Sequence, residues 1–276
     1  MAPALRLRKW YLDTVSDDGA CVIAYWARLE WGAVALSYGA VLDARTASPL
    51  TRTHWLSAPE PAASQGRVTW AHAGLGVRGV WTPATPPVER TLFETQEGAV
   101  RWSCVQPAGE AEIDLGGVVL RGRGYAERLE MTLPPWRLPI AELRWGRAIT
   151  RGATGEGPGA AHGVTWIDWR GAHPLSLVLD GSREAASPRV GDERVSADGV
   201  EVSLSEGRTL RDGPLVTGAL RGAPGIARWA PVSILSAHEH KRLSPATVTT
   251  NGAALDAWAI HEVVRFDAAN QRKDCG

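Results

Sequence analysis

Lysine is nearly absent from this chain of 276 residues. It occurs only at Lys9, Lys241 and Lys273, so arginine supplies almost all of the 30 basic residues, which balance 30 acidic ones. A chain with no net charge carries no broad electrostatic footprint for nucleic acid or an anionic membrane, and neither partner is expected. Cysteine is also scarce. Cys21, Cys104 and Cys275 are odd in number, widely spaced and without a CxxC, which argues against a disulfide framework and against structural zinc. Long apolar runs are missing. None approaches a membrane span, and Met1–Asp18 lacks the apolar core of a signal peptide; by elimination the expected location is the cytoplasm. Phenylalanine (2) and tyrosine (4) are few, whereas tryptophan reaches 13. An indole offers a wide apolar face and one N–H donor, suited to filling cores or lining ligand pockets.

Helix signals are weak. The 30 glycines and 18 prolines interrupt the chain every few residues, and few windows hold a helical period beyond about ten residues. Strand signals are plentiful. Trp10–Val15, the turn Ser16-Asp17-Asp18-Gly19 and Ala20–Trp26 read as a hairpin. Further strands are expected at 33–43, 67–72, 75–81, 99–106, 112–115 and 118–133, the last able to bend at Gly122 and Gly124. The proline-rich 134–139 reads as a junction between domains at 1–133 and 140–276. Strands resume at 142–150, a glycine-rich loop fills 151–163, and further strands are expected at 164–169, 174–179, 195–196, 199–204, 208–210, 232–238 and 257–266. The second half loosely echoes the first. The expected fold is all-β, with two tandem antiparallel β-barrels.

The opening Trp10-Tyr11-Leu12-Asp13-Thr14-Val15-Ser16-Asp17-Asp18-Gly19 resembles the first strand and turn of the carotenoid 1,2-hydratase (hydroxyneurosporene synthase-like) family. That family sits in a lipocalin-like group with proteins of the AttH type and fungal cyclases. Gly124-Tyr125-Ala126-Glu127-Arg128 falls where the hydratases carry a glycine-tyrosine segment with a histidine-aspartate-histidine core. The histidines are absent from this chain and Glu127 keeps the carboxylate. The resemblance implies two lipocalin-like barrels and a hydrophobic small-molecule ligand or substrate.

Four constellations carry candidate chemistry. Tyr125 and Glu127 share one strand face while Arg128 takes the other; a carboxylate facing a barrel interior suits a general acid. Trp166, Asp168 and Arg170 alternate onto one face, with Asp168 a candidate base, nucleophile or ion-pair member. His261 is a candidate proton shuttle, facing opposite to its neighbour Glu262. His238 and His240 share a face at a spacing able to chelate, but no third ligand is evident, so no metal and no cofactor is expected. Tyr11, Trp136, Trp145 and Arg147 join Tyr125, Arg128 and Trp166 as candidate substrate-binding residues. Gly74-Leu75-Gly76-Val77-Arg78-Gly79 has dinucleotide-loop spacing but no helix after it and reads as a turn. No nucleophile elbow, P-loop or HExxH occurs.

Three functions remain open. One is a lyase, isomerase or cyclase acting on a polyene- or terpenoid-like substrate by proton transfer, with Glu127 as acid, Asp168 as base or orienting group and His261 as shuttle. A second is a glycoside hydrolase using paired carboxylates and stacking tryptophans. A third is a binding protein without catalysis.

Overall fold

The computed structural model describes residues 5–55, 57–151, 161–215 and 236–266. The chain divides into two compact units, Met1–Pro134 and Pro135–Gly276.

In the first unit the hairpin expected at the start is present. β1 (Leu5–Val15) pairs antiparallel with β2 (Cys21–Trp31). Gly19 closes the turn at φ 83, a left-handed backbone that glycine adopts without steric cost, and its N–H donates to the Ser16 carbonyl at 2.9 Å. β3 (Val34–Ala44), β4 (Leu50–Trp55), β5 (Ala62–Ser64), β6 (Arg67–His72), β7 (Val77–Pro83), β8 (Val88–Thr95), β9 (Gly98–Leu115) and β10 (Val118–Met131) complete a ten-stranded antiparallel sheet of order β4-β3-β2-β1-β10-β9-β7-β6-β5, with β8 also on β9. Gly74–Gly79 is a turn as expected: a 3-10 turn at Ala73–Leu75 ends at Gly76, φ 63, and runs into β7.

The sheet curls on itself. One core cluster joins Trp10 and Leu12 of β1, Trp26 of β2 and Val41 of β3 to Val68 and Trp70 of β6, Trp81 of β7 and Ala126 of β10. β3 and β6 lie near opposite ends of the strand order, so only a lipocalin-like wrap brings them together. The indoles satisfy their donors: Trp26 Nε1 donates to Ala58 O, Trp70 Nε1 to Pro59 O and Trp81 Nε1 to Asp13 O, each at 2.8 Å.

The second unit repeats this topology. β11 (Ile140–Thr150), β12 (Gly163–Gly171), β13 (Leu175–Asp180), β14 (Arg183–Glu184), β15 (Arg189–Val190), β16 (Arg194–Ala197), β17 (Val200–Leu204), β18 (Arg208–Pro214), β19 (His238–Thr250) and β20 (Ala253–Arg265) give the order β14-β13-β12-β11-β20-β19-β17-β16-β15, with β18 on β19. The registers match as well. Val22 pairs with Asp43 as Val164 pairs with Asp180, and each aspartate holds an arginine just downstream, Arg45 or Arg183. Tyr11 pairs with Glu127 as Trp145 pairs with Glu262. The fold is all-β, with two lipocalin-like antiparallel sheets.

Three strand expectations need correction. Residues 99–106 and 112–115 are one strand, β9. It passes Pro107 where its pairing with β10 shifts register between Gln106 and Gly109, a place where a missing N–H costs no ladder bond. β4, β5, β8, β14 and β15 were not foreseen. The strand expected at 232–238 falls mostly outside the described residues, as does most of the loop at 151–163; β19 instead runs from His238 through charged residues to Thr250.

Candidate functional site

In the first unit, β10 carries Tyr125 and Glu127 on the face opposite the core cluster, since Ala126 between them belongs to that cluster. Tyr125 is fully buried. Its hydroxyl donates to Glu127 Oε2 at 2.8 Å, and Trp102 Nε1 of β9 donates to the same oxygen at 2.7 Å. The Glu127 carboxyl is therefore clamped by two neutral donors. Both hydrogen bonds fall on one oxygen, Oε2.

Burial, then the neighbouring Cys104 and Glu127, push the Tyr125 phenol well above its ordinary range. It stays protonated and remains a donor. Tyr11 lies edge-on to Tyr25 at 5.4 Å and to Tyr125 at 6.0 Å. Cys104, also fully buried, is the cross-strand neighbour of Glu127. Asp13, with no exposed surface, is that of Tyr125.

The structure thus gathers Tyr11, Tyr125 and Glu127 and adds Tyr25, Trp102, Cys104 and Asp13. Alternation along 99–106 puts Trp102 and Cys104 on one face, which was the available signal for those two. Arg128 is on the core-facing side, as alternation requires, with its guanidinium 5.8 Å from the Trp10 ring. It does not share the Glu127 site.

In the second unit, Trp166, Asp168 and His261 lie on the core-facing side. The register across the sheet reads Arg242–His261–Gly146–Trp166 from β19 to β12. A Cβ on Gly146 would sit 2.3 Å from the Trp166 ring and 2.9 Å from His261 Cβ, so the indole lies over the glycine beside the histidine. His261 Nε2 shares a 2.9 Å hydrogen bond with Ser244 Oγ.

Asp168 has both oxygens engaged: Arg170 Nε donates to Oδ2 at 2.9 Å and Ser176 Oγ to Oδ1. Arg170 also bonds Glu142 at 3.1 Å, and Glu142 takes Arg144 at 2.7 Å and Arg265 at 3.1 Å. Asp168 is one member of this charged network at the end of β11 and β12. Glu127 and Asp168 belong to different units and to opposite faces of their sheets.

Trp145 and Arg147 lie on the other face of the second sheet. Arg147, fully buried, donates to Trp258 O at 2.8 Å. Trp145 lies 6.0 Å from Lys241 Nζ. Trp136 sits in the 3-10 turn Pro135–Arg137. His238 and His240 both approach Asp212 Oδ1, at 3.4 and 3.5 Å; among the described residues no group of three or more His, Cys, Asp or Glu is placed to hold a metal.

Burial, with Arg242 and His240 nearby, lowers His261 to about 4 from an ordinary 6.5. It is neutral at pH 7. Between about pH 6.5 and 4 the unfolded chain binds a proton that the folded state refuses, so stability is lost as the pH drops through this range, by on the order of 3 kcal/mol. Urea unfolding at pH 7, 5.5 and 4.5 measures that slope. It should flatten in His261→Gln; an unchanged slope in the variant would mean that His261 is not the group responsible.

No protein-family model and no curated protein sequence matches the chain. Solved structures do. A protein of Nitrosomonas europaea provisionally assigned as AttH is 11% identical, with a TM-score of 0.53 over 96% of this chain and 92% of that one. Kievitone hydratase of Nectria haematococca is 8% identical, with a TM-score of 0.51 over 95% and 89%. At these identities the likeness is one of fold, and the chain shares the lipocalin-like all-β architecture of both proteins.

Proposed function

We propose that this protein is an enzyme of the lyase or isomerase type. It moves a proton on a hydrophobic, polyene- or terpenoid-like small molecule, with Glu127 as the proton-transferring group. The observation that carries this reading is the convergence of Tyr125 Oη and Trp102 Nε1 on Glu127 Oε2. Two neutral donors on one oxygen fix the orientation of a carboxyl group that is to exchange a proton. The surrounding Tyr11, Tyr25 and Tyr125 rings suit an apolar substrate and stabilise developing positive charge by their π-faces. Kievitone hydratase, whose fold this chain shares, is by name a hydratase, and hydration of a double bond is one such proton transfer. Asp168, whose oxygens are taken by Arg170 and Ser176, acts in this reading as an orienting charge in its own unit.

The test is an assay in D2O against polyenes, terpenoid alkenes and enones, read by mass spectrometry. Deuterium incorporation or hydration that disappears in Glu127→Gln supports the proposal. Transfer that continues undiminished in the variant overturns it.

A further inference from the structure

β4 and β5 stand at the two ends of the first unit's strand order, and the short segment that includes residues 57–61 joins them. In a sheet that curls on itself, such a segment is a strap across the closing seam. The core indoles tie it down. Trp26 Nε1 donates to Ala58 O and Trp70 Nε1 to Pro59 O, each at 2.8 Å. Trp10 Nε1 donates to Glu60 at 3.3 Å, and Arg8 pairs with the same carboxylate at 2.6 Å. Ala58 belongs to the core cluster.

Buried His72, the last residue of β6, sits where the strap meets the 3-10 turn. A Cβ on Gly39 of β3 would lie 3.2 Å from His72 Cδ2, 3.3 Å from Ala58 Cβ and 3.4 Å from Leu75 Cδ1. Histidine, strap and turn thus pack over one glycine. His72 Nδ1 accepts from Leu75 N at 3.2 Å and so caps the turn. His54 of β4 lies edge-on to His72 at 4.7 Å, with its Nε2 3.4 Å from Ser57 Oγ of the strap. Nδ1 can accept only while it carries no proton. A protonated His72 would turn a donor toward the Leu75 N–H and set a cation inside the seam. Among the described residues, the elements packed on it bring no anion to spare. β4 presents His54 and, on the same face, Arg52; β3 presents Gly39; β7 pairs Val77 with it; and the turn is Ala73-Gly74-Leu75. Glu60, the acid of the strap, is held by Arg8 and Trp10. Burial, then the charge of His54, hold His72 below its ordinary 6.5. The closed form therefore refuses a proton that the open form takes. Closure is strongest above pH 6.5 and weakens as the pH falls below it.

We propose that His72 and His54 form an acid-sensitive latch on the first unit: neutral, they keep the 3-10 turn and the strap closed over the seam, and protonated they release both. The latch lies on the core-facing side of the sheet, where Val68 and Trp70 alternate with it along β6, and it does not involve Glu127.

Hydrogen exchange at the indole N–H groups, read by NMR of the full chain labelled with 15N-tryptophan between pH 7.5 and 4.5, tests this. Release of the strap frees the Trp26 and Trp70 donors. Trp81, whose Nε1 donates to Asp13 O on β1, is the internal control. After correction for the pH dependence of free indole exchange, Trp26 and Trp70 should gain on Trp81 by up to about tenfold per pH unit below 6.5, the worth of one proton taken up on opening. His72→Asn keeps a capping acceptor and does not titrate; it should match wild type at pH 7.5 and lose the acid rise. His54→Gln leaves the His72 cap in place but removes the facing charge, so the rise should shrink. His261→Gln should leave the rise unchanged, which separates the latch from the acid sensitivity of the second unit. A wild type with no rise, a rise equal at Trp81, or a rise that survives His72→Asn would overturn the proposal. Should His72→Asn fail to fold, His54→Gln decides, and a rise as large as that of wild type in this variant would overturn it.

Discussion

Replacing Lys241 with methionine should destabilise the protein by about 3–5 kcal/mol, the cost of leaving buried charge uncompensated. Lys241 is 2% exposed and Glu239 3%. The ammonium bonds Glu239 at 3.1 Å and, closely, Glu262; Arg211 bonds the other Glu239 oxygen at 3.2 Å. Two carboxylates and two cations balance. Lys241 and Arg211 outweigh burial and hold Glu239 down to about 2. Without Lys241, Glu262 loses its ammonium partner and Glu239 keeps Arg211. The double variant Lys241→Met, Glu262→Met removes one charge of each sign and leaves Glu239 with Arg211, so it should recover most of the loss. Urea unfolding followed by tryptophan fluorescence measures both. A single variant within 1 kcal/mol of wild type would mean that solvent compensates these charges, and a double variant no better than the single would mean that Glu262 is not the group left stranded.

This network also shows where sequence reading stops. The period-2 rule found the first hairpin and, in the second unit, β11, β12, β13, β16, β17, the start of β18 and most of β20, because there one face is apolar and the other mixed. It failed on β19, where the expected strand stopped at 238 although Glu239 and Lys241 alternate onto a buried face. A charge pair that neutralises itself inside a sheet looks the same in sequence as two solvated residues. β9 was cut in two at Pro107 because a register shift between strands leaves no local mark. The candidate residues were placed on their correct faces by alternation: Tyr125 with Glu127, Trp166 with Asp168, His261 apart from Glu262. Their cross-strand partners were not legible. That Trp102 meets Glu127, that Ser244 meets His261 and that Arg170 and Ser176 occupy Asp168 depend on pairing and register, which no single strand contains.

Glu127→Gln should keep the fold and lower turnover by about 10²–10⁴-fold, the usual worth of one general acid–base group. Glutamine has nearly the same volume, and its carbonyl oxygen can still accept from Tyr125 and Trp102, which were the contacts of Oε2. Its amide nitrogen then takes the place of Oε1, where it cannot give up or take a proton in the same way. Thermal melting should therefore move little while proton transfer to substrate is lost. Melting that falls with activity would make Glu127 a structural residue; unchanged melting with unchanged turnover would remove it from the mechanism. The second sheet supplies an internal control. Glu262 occupies the matching register position, opposite Trp145 as Glu127 is opposite Tyr11, but its partner is the buried ammonium of Lys241. Glu262→Gln strands that ammonium with one fewer counter-charge and should lower stability with little effect on turnover. Two glutamates on one repeated strand position are then told apart by experiment: loss of turnover with the fold kept marks Glu127 as the proton-transferring group, and loss of stability with turnover kept marks Glu262 as a support for the fold.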